Sequence, residues 1–497
     1  MDGISLDSSS DNALNDNNCS DNDNGISLNS SSDGNTLSNN TCSNNSLDGI
    51  SLDSSSGNAL NDNNCSSNTG SGINLNSSSD GSTLGNNTCS NNTGDGIHID
   101  SSSDNTLSDN NCSDNYDGIS LISSSNCTLI YNDCSHNVYG GIHINISIRI
   151  TVINNNCTYN WHGICICSSG DNTVSYNICI HNYYYGIYIG SSSTTTIISY
   201  NTCSYNVYAD IYIDISIDIT IINNNCSYSW YGISIWSSHG NTVSFNICIN
   251  NYYYGIYAGS SSTTIISYNT CSYNFYAGIY INVSARITII NNDCSYNWYG
   301  IWIYSSNDNT VSINICSNNY YYGIYVSSSS INIISYNTCS YNVYADIYID
   351  ISIDITIVNN DCSYSWYGIW ISSSNGNTVS INICSNNYYY GIYVWSSSTN
   401  IISYNTCSYN VYAGIYINIS ISITIINNDC SYSWYGIWIF TSNGNTVNIN
   451  ICWYNVYYGI YLDPSNNNTL SYNNCSSNDH DGIGIESSND NAIFDNN

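Results

Sequence analysis

The chain has no lysine and only two basic residues, Arg149 and Arg286, against 35 acids in 497 residues. The resulting formal charge of −33 excludes unaided binding of phosphate or nucleic acid, which needs clustered cations. It equally disfavours an anionic membrane surface. Charged residues amount to 7%, far below the roughly 25% of an ordinary globular protein. Proline and methionine occur once each. No run of about 18 apolar residues is present, so no helical membrane span is expected. The opening MDGISLDSSS has neither a basic head nor an apolar stretch, so no secretory leader is visible. No Phe, Trp or Tyr precedes Tyr116. What fills the chain instead is Asn, Ser, Ile and Gly, with 51 tyrosines and 24 cysteines.

These residues recur on one beat. A column of 21 cysteines runs from Cys19, Cys42 and Cys65 to Cys475, in steps of 22 to 24 residues. A Gly-Ile pair keeps the same interval, from Gly3-Ile4 to Gly482-Ile483, with Asp210 and Asp346 replacing the glycine. An asparagine stands two residues before every column cysteine. Another stands three after it, except at Ser229, Ser365 and Ser433. A longer period lies on top: Trp161, Trp230, Trp298, Trp366 and Trp434 recur every 68 or 69 residues, three basic repeats. Composition separates an Asp/Ser-rich, aromatic-free stretch, 1–115, from a Tyr/Trp-rich stretch, 116–497, within one continuous repeat array.

The local pattern is that of strands. From Ile211 to Ile221 every odd position is isoleucine, and a period of two places all of them inward. A 23-residue unit cannot bury its own apolar face, but stacked units can. The expected fold is all-β: one parallel β-solenoid of about 22 coils, rising about 4.8 Å per coil to a rod of roughly 105 Å. Its interior should hold ladders of like residues, Cys203, Cys226, Cys248, Cys271 and Cys294 in one, and Asn201, Asn224, Asn246, Asn269 and Asn292 in another. The asparagines are expected to take left-handed corners and to pass amide hydrogen bonds from coil to coil. The glycine column implies an unusual φ or no room for a Cβ, with Asp210 and Asp346 tolerated through left-handed geometry. Asp7, Asn29, Asp53, Asn76 and Asp100 alternate acid and amide, which keeps stacked carboxylates two coils apart. Adjacent column cysteines fall within disulfide range on this spacing.

The pattern Gly-Ile-x-Leu-x-x-Ser-Ser-x-Asn-Ala-Leu followed by Asn-x-Cys, as from Gly49 to Cys65, resembles the right-handed parallel β-helix repeat of NosD-like and pectate-lyase-like proteins. The resemblance covers essentially the whole chain. It implies a right-handed solenoid and an extracellular or cell-envelope setting, as in archaeal and bacterial surface proteins. It says little of activity, because such repeats carry lyases, hydrolases, adhesins and surface-layer proteins alike.

Candidate chemistry divides accordingly. Cys165-Ile166-Cys167 is the one close cysteine pair, and no second pair lies near it in sequence to complete a zinc site, so no metal or cofactor is expected there. Calcium on the Asp-rich N-terminal coils is the one cofactor the composition allows. Asp210, Asp214 and Asp218, with their copies Asp346, Asp350 and Asp354, are read as one outward acidic face. They are duplicated rather than unique, so a non-enzymatic protein is expected. Trp161, Trp230, Trp298, Trp366 and Trp434, with Trp302, Trp370 and Trp438, form strips suited to lateral contact between copies or to stacking on sugars. Asn29 and Asn76 lie in glycosylation sequons. The function expected from these features is a structural surface protein that pairs with itself end to end and laterally into a filament, sheath or layer. The alternative is a carbohydrate-binding or carbohydrate-active surface protein with a cell-surface polysaccharide as partner.

Overall fold

The computed structural model describes residues 1–192 and 194–497. Among them every regular element is a strand. The chain divides into two compact units, Met1–Ile247 and Cys248–Asn497. Each is a right-handed parallel β-solenoid. The change of composition at Tyr116 falls inside the first unit.

A coil has three sides. The first carries strands such as Ala209–Asp214 and Ala277–Asn282, the second Ile219–Ile222 and Thr288–Ile290. The third carries the cysteine, on short strands such as Thr202–Ser204 or on single bridges such as Thr270↔Asp293. Like residues pair across coils as the period requires: Ile211↔Ile233 and Cys203↔Cys226 in the first unit, Ile279↔Ile301 and Cys339↔Cys362 in the second. Asp7↔Asn29 and Asn29↔Asp53 show the alternation of acid and amide. One coil of the second unit contributes Ile279, Ile281, Ile287, Ile289 and Cys294 to the core, all fully buried. Each such isoleucine contributes roughly 1.5–3 kcal/mol through removal from water.

The long isoleucine alternation is broken where sequence reading continues it. Ile211, Ile213, Ile219 and Ile221 are buried, but Ile215 is 62% exposed and Ile217 also faces out. Ile215 takes a left-handed φ of 47°, so the chain turns a corner and the parity of inward positions shifts. The inward residue at this corner is Ser216, whose Oγ donates to Asp214 O at 2.8 Å and accepts the Ser192 amide at 3.1 Å. A hydroxyl satisfies the corner backbone where a methyl cannot.

The asparagine ladders exist, but not for the conformational reason expected of them. Asn224 and Asn292 have ordinary φ; the left-handed residues are the ones just before, Asn223 (57°) and Asn291 (56°). The ladder works through hydrogen bonds alone. Asn292 Nδ2 donates to Asn314 Oδ1 at 3.0 Å and to Ile266 O at 2.9 Å, while its backbone amide donates to the same Asn314 Oδ1 at 2.9 Å. Asn314 repeats the pattern onto Asn337. Buried amides are thus satisfied in series.

The glycine column is a matter of space, not of φ. The left-handed glycines are Gly34, Gly57, Gly81, Gly240, Gly376 and Gly444, none of them in the Gly-Ile column. A Cβ on column Gly391 would stand 2.6 Å from Gly414 O and 2.8 Å from Cys384 O. Asp210 and Asp346 are accommodated for a different reason than left-handed tolerance, since neither has a positive φ. In the following coil the ladder asparagine is a serine, Ser229 or Ser365, and the carboxylate fills the place of the missing amide. Asp346 Oδ1 accepts from Asn342 Nδ2 at 2.7 Å and from the Ser365 hydroxyl.

Asp346 Oδ2 is buried without a hydrogen-bond partner, and burial holds this carboxyl well above the usual carboxylate range. A carboxyl raised in the folded state stabilises the fold fully below its unfolded pKa of about 3.9 and loses that contribution as pH rises. We therefore expect wild-type urea midpoints to fall between pH 4 and pH 7 more steeply than those of Asp346→Asn, which keeps the shape without the charge. Parallel curves for the two proteins would contradict a buried neutral acid.

Candidate functional site

Two surface features depart from plain repetition. The first is a set of aromatic rows on the Cys248–Asn497 unit. The residue two positions after each column cysteine points outward at a left-handed corner, as at Tyr273, Tyr296, Tyr341 and Tyr364. Successive rings stack face to face: Tyr273 on Tyr296 at 4.9 Å and 3°, Tyr341 on Tyr364 at 4.9 Å and 6°, Tyr409 on Tyr432 at 4.7 Å and 3°. A stacked face is closed to any ligand. Two coils, three apart, interrupt the row with an exposed asparagine, Asn318 and Asn386. Tyr296 and Tyr341, 51% and 57% exposed, therefore each bare one face across Asn318, two coils or about 9.6 Å apart. Tyr364 and Tyr409 do the same across Asn386.

Beside this row runs a second, two residues further along: Phe275, Trp298, Tyr320, Val343, Trp366 and Tyr388. Between the rows lies an open groove of about 650 Å³ around Asn318, floored by Asn274, Asn297 and Asn319. A further 470 Å³ surrounds Asn386, and the two stretches share Tyr341 and Val343. Neither lining contains an acid or a base.

Of the tryptophans singled out from sequence, Trp298 and Trp366 line this groove. Trp434 occupies the equivalent position and is 38% exposed. Trp161 and Trp230 hold the same position in the first unit, where the neighbouring row His136–Tyr159–His181–Tyr205–Tyr228 stacks without a gap. Trp302, Trp370 and Trp438 lie on a different side, on the outer face of the first sheet, packed against Tyr280, Tyr348 and Tyr416 at 4.4 to 4.6 Å. Their Nε1 atoms are buried without a protein acceptor. All three are half-buried among the tyrosines of that face. Sequence reading missed Tyr296, Tyr341, Asn318 and Asn386. Writing the chain in rows of three coils would have shown the asparagine recurring in the tyrosine column.

The acidic face expected at Asp210, Asp214 and Asp218 does not form. Asp210 is fully buried in the asparagine ladder, Asp214 is half-buried and Asp218 stands exposed at a corner. The copies at Asp346, Asp350 and Asp354 divide the same way. Among the described residues no three of the N-terminal acids gather into one cluster. Asn29 and Asn76 are half-buried strand ends, and Asn29 Nδ2 donates to Ser27 Oγ at 2.9 Å. The column thiols from Cys19 to Cys203 and from Cys271 to Cys475 are unlinked, so the disulfide range of their spacing is not used.

The second feature is a polar cluster on the first unit. The Gly140–Asn145 strand sets His143 directly beside Cys165 of the His162–Cys167 strand. Cys165 and Cys167 leave the core column and share the outer face, their sulfurs 3.4 Å apart. His143 Nδ1 bonds Asp117 Oδ2 at 3.1 Å, and Asp117 Oδ1 accepts the Gly140 amide at 2.6 Å. The Cys165 hydrogen bond, helped by His143 and opposed by burial, holds the Cys167 thiol down at about 5. Burial lowers His143, but Asp117 and Cys167 outweigh it and bring the imidazole to about 9. His143 was missed in sequence because its partner lies 22 residues away, one coil on.

Comparison with known proteins agrees with the coil geometry. The family described as "Periplasmic copper-binding protein (NosD)" matches residues 1–138, 318–450 and 387–497. "Right handed beta helix region" matches residues 95–248, 180–316 and 232–382. No curated protein matches the chain. Among solved structures, the periplasmic alginate epimerase AlgG is 15% identical, with 65% of this chain and 76% of that one covered at a TM-score of 0.34. The Dettilon tailspike protein is 17% identical over 60% and 62%, at 0.39. The A-module of the Azotobacter vinelandii mannuronan C-5 epimerase AlgE6 is 8% identical over 67% and 90%, at 0.33. No helix of the described residues is long and apolar enough to cross a membrane. With its repeat matched over most of its length, the chain belongs to the NosD family of right-handed parallel β-helix proteins.

Proposed function

We propose that this protein binds neutral polysaccharide outside the cytoplasm, holding the glycan along the groove of the Cys248–Asn497 unit. The observation that carries this is the periodic bare ring face: Tyr296 and Tyr341 across Asn318, Tyr364 and Tyr409 across Asn386. Pyranose rings offer apolar C–H faces to such rings, and the exposed Asn318 and Asn386 side chains offer amides to hydroxyls. An uncharged lining on a chain of net charge −33 favours neutral sugars over polyuronates. Binding rather than turnover is assigned because the groove offers no carboxylate pair. The placement outside the cytoplasm is supported by the periplasmic description of the family.

The test is affinity electrophoresis and calorimetry on neutral and acidic polysaccharides. Tyr296→Ala and Tyr341→Ala should each weaken binding of a neutral glycan roughly fivefold, from a stacking contribution of about 1 kcal/mol. Tyr432→Ala, between the occupied faces of Tyr409 and Tyr454, should leave affinity unchanged. If instead the protein binds no glycan and sediments as an assembly that the two groove substitutions dissolve, the row is a contact between copies, and the filament reading replaces this one.

A further inference from the structure

The His143–Cys165–Cys167 cluster has no part in glycan binding and no counterpart elsewhere in the repeat. Twenty-one cysteines stand in the core column; Cys165 and Cys167 are two of the three that do not. In the Cys165 column the preceding coils carry Ser120 and His143, and later coils carry Tyr188 and Tyr212. In the Cys167 column the neighbours are Asn145 and Gly190. Two outward thiols and an imidazole therefore meet once in the chain. Their Sγ, Sγ and ring-nitrogen atoms all lie within 4.8 Å of one another, the only such group among the described residues.

The surroundings are those of a ligand set rather than of a chance contact. Asp117, 3% exposed, takes His143 Nδ1, so Nε2 is the nitrogen that can ligate, releasing its proton as a cation binds. Asp117 is itself fixed by the Gly140 amide. Tyr139 lies edge-on to the imidazole at 5.4 Å and shields one flank. On the Cys167 side, the next coil has Gly190, and the Tyr188 ring lies over the place its Cβ would take. Cys167 itself stays partly exposed, the one cysteine of 24 that is not buried.

We propose that His143, Cys165 and Cys167 form a binding site for one soft d10 cation, Cu(I) or Zn(II). Two thiolates and an imidazole are soft-to-borderline donors, suited to these ions and poorly suited to Ca(II) or Mg(II). Three protein ligands fit a trigonal Cu(I), or a Zn(II) completed by water. The three residues lie outside the segments that match the NosD family, so the site is a property of this chain and not an inheritance of the match.

The full chain, reduced and desalted, is titrated with Cu(I) against a chromophoric chelator, with Zn(II), and with Co(II) as a spectroscopic stand-in; Ca(II) is the hard-ion control. About one equivalent of Cu(I) or Zn(II) should bind, and Co(II) should give a thiolate charge-transfer band. His143→Gln and Cys167→Ser should each weaken binding at least tenfold, and the Cys165→Ser/Cys167→Ser double variant should abolish it. Since the double variant alters a buried position, a second measurement uses the unmutated protein. Brief iodoacetamide treatment under native conditions should label Cys167 first, and a stoichiometric soft cation should block that labelling. The proposal is overturned if no soft cation binds, if the double variant retains the wild-type equivalent, or if bound metal leaves Cys167 as reactive as before.

Discussion

Alanine at Gly391 should destabilise the Cys248–Asn497 unit by about 3 kcal/mol or more, although it adds a single methyl group. The new Cβ would meet Gly414 O at 2.6 Å, Cys384 O at 2.8 Å and Asn410 Nδ2 at 2.8 Å. Two of these are backbone atoms held in the ladder, so neither can swing aside as a side chain would. Relief requires the coils to part locally, and that breaks parallel hydrogen bonds on both sides. Because each coil contacts mainly its neighbours, the damage should appear as a second, earlier step in urea unfolding and as a new protease-sensitive site. Gly444→Asn is the matched control. Gly444 has φ +68° and nothing within 4 Å of a Cβ, and asparagine tolerates that conformation, so its cost should stay below about 1 kcal/mol. Equal unfolding curves for wild type and Gly391→Ala would remove the steric account of the column.

Asn314→Ala should cost about 3–5 kcal/mol, well above the ordinary effect of deleting a polar side chain. Asn314 Oδ1 accepts both the backbone amide and the side-chain amide of Asn292, at 2.9 and 3.0 Å. Its own Nδ2 donates to Asn337 Oδ1 and to Ile289 O, each at 3.0 Å. Removal strands the Asn292 backbone donor in a dry interior, leaves Ile289 O and Asn337 Oδ1 each short of a donor, and opens a cavity. Asn314→Asp should be worse at neutral pH, since a carboxylate sets oxygen against Ile289 O and Asn337 Oδ1 and carries an unpaired charge inside. Chemical denaturation of the three proteins at matched pH checks the order. A neutral Asn314→Ala would mean that water replaces the ladder.

Fold and ladders were legible because stacking repeats each error or success at every coil. A strict 22 to 24 residue step leaves few architectures open, and the pairing Ile279↔Ile301 follows from the Gly-Ile beat alone. Corners were less legible. Ile215 and Ile217 continue a perfect alternation in sequence, yet a left-handed residue reverses which parity is inside. No local preference announces that reversal, because isoleucine disfavours the conformation it adopts there and is held by its neighbours. The groove was half visible: the tryptophan period was found, but the recurring Asn318 and Asn386 gaps were not. The His143 site needed the register itself, since a ligand one coil away has no signature along the chain.

The asparagine ladder has one further property. In the column two residues before the cysteines, side-chain amides donate toward the later coil: Asn40 to Asn63 to Asn87 in the first unit, Asn269 to Asn292 to Asn314 in the second. Strand dipoles largely cancel across a sheet, but these amide dipoles add head to tail and polarise one another. Each unit thus carries an internal electric axis, positive toward its later coils, whose direction is set by the sense in which the chain winds. One flipped amide would set donor against donor on one side and acceptor against acceptor on the other.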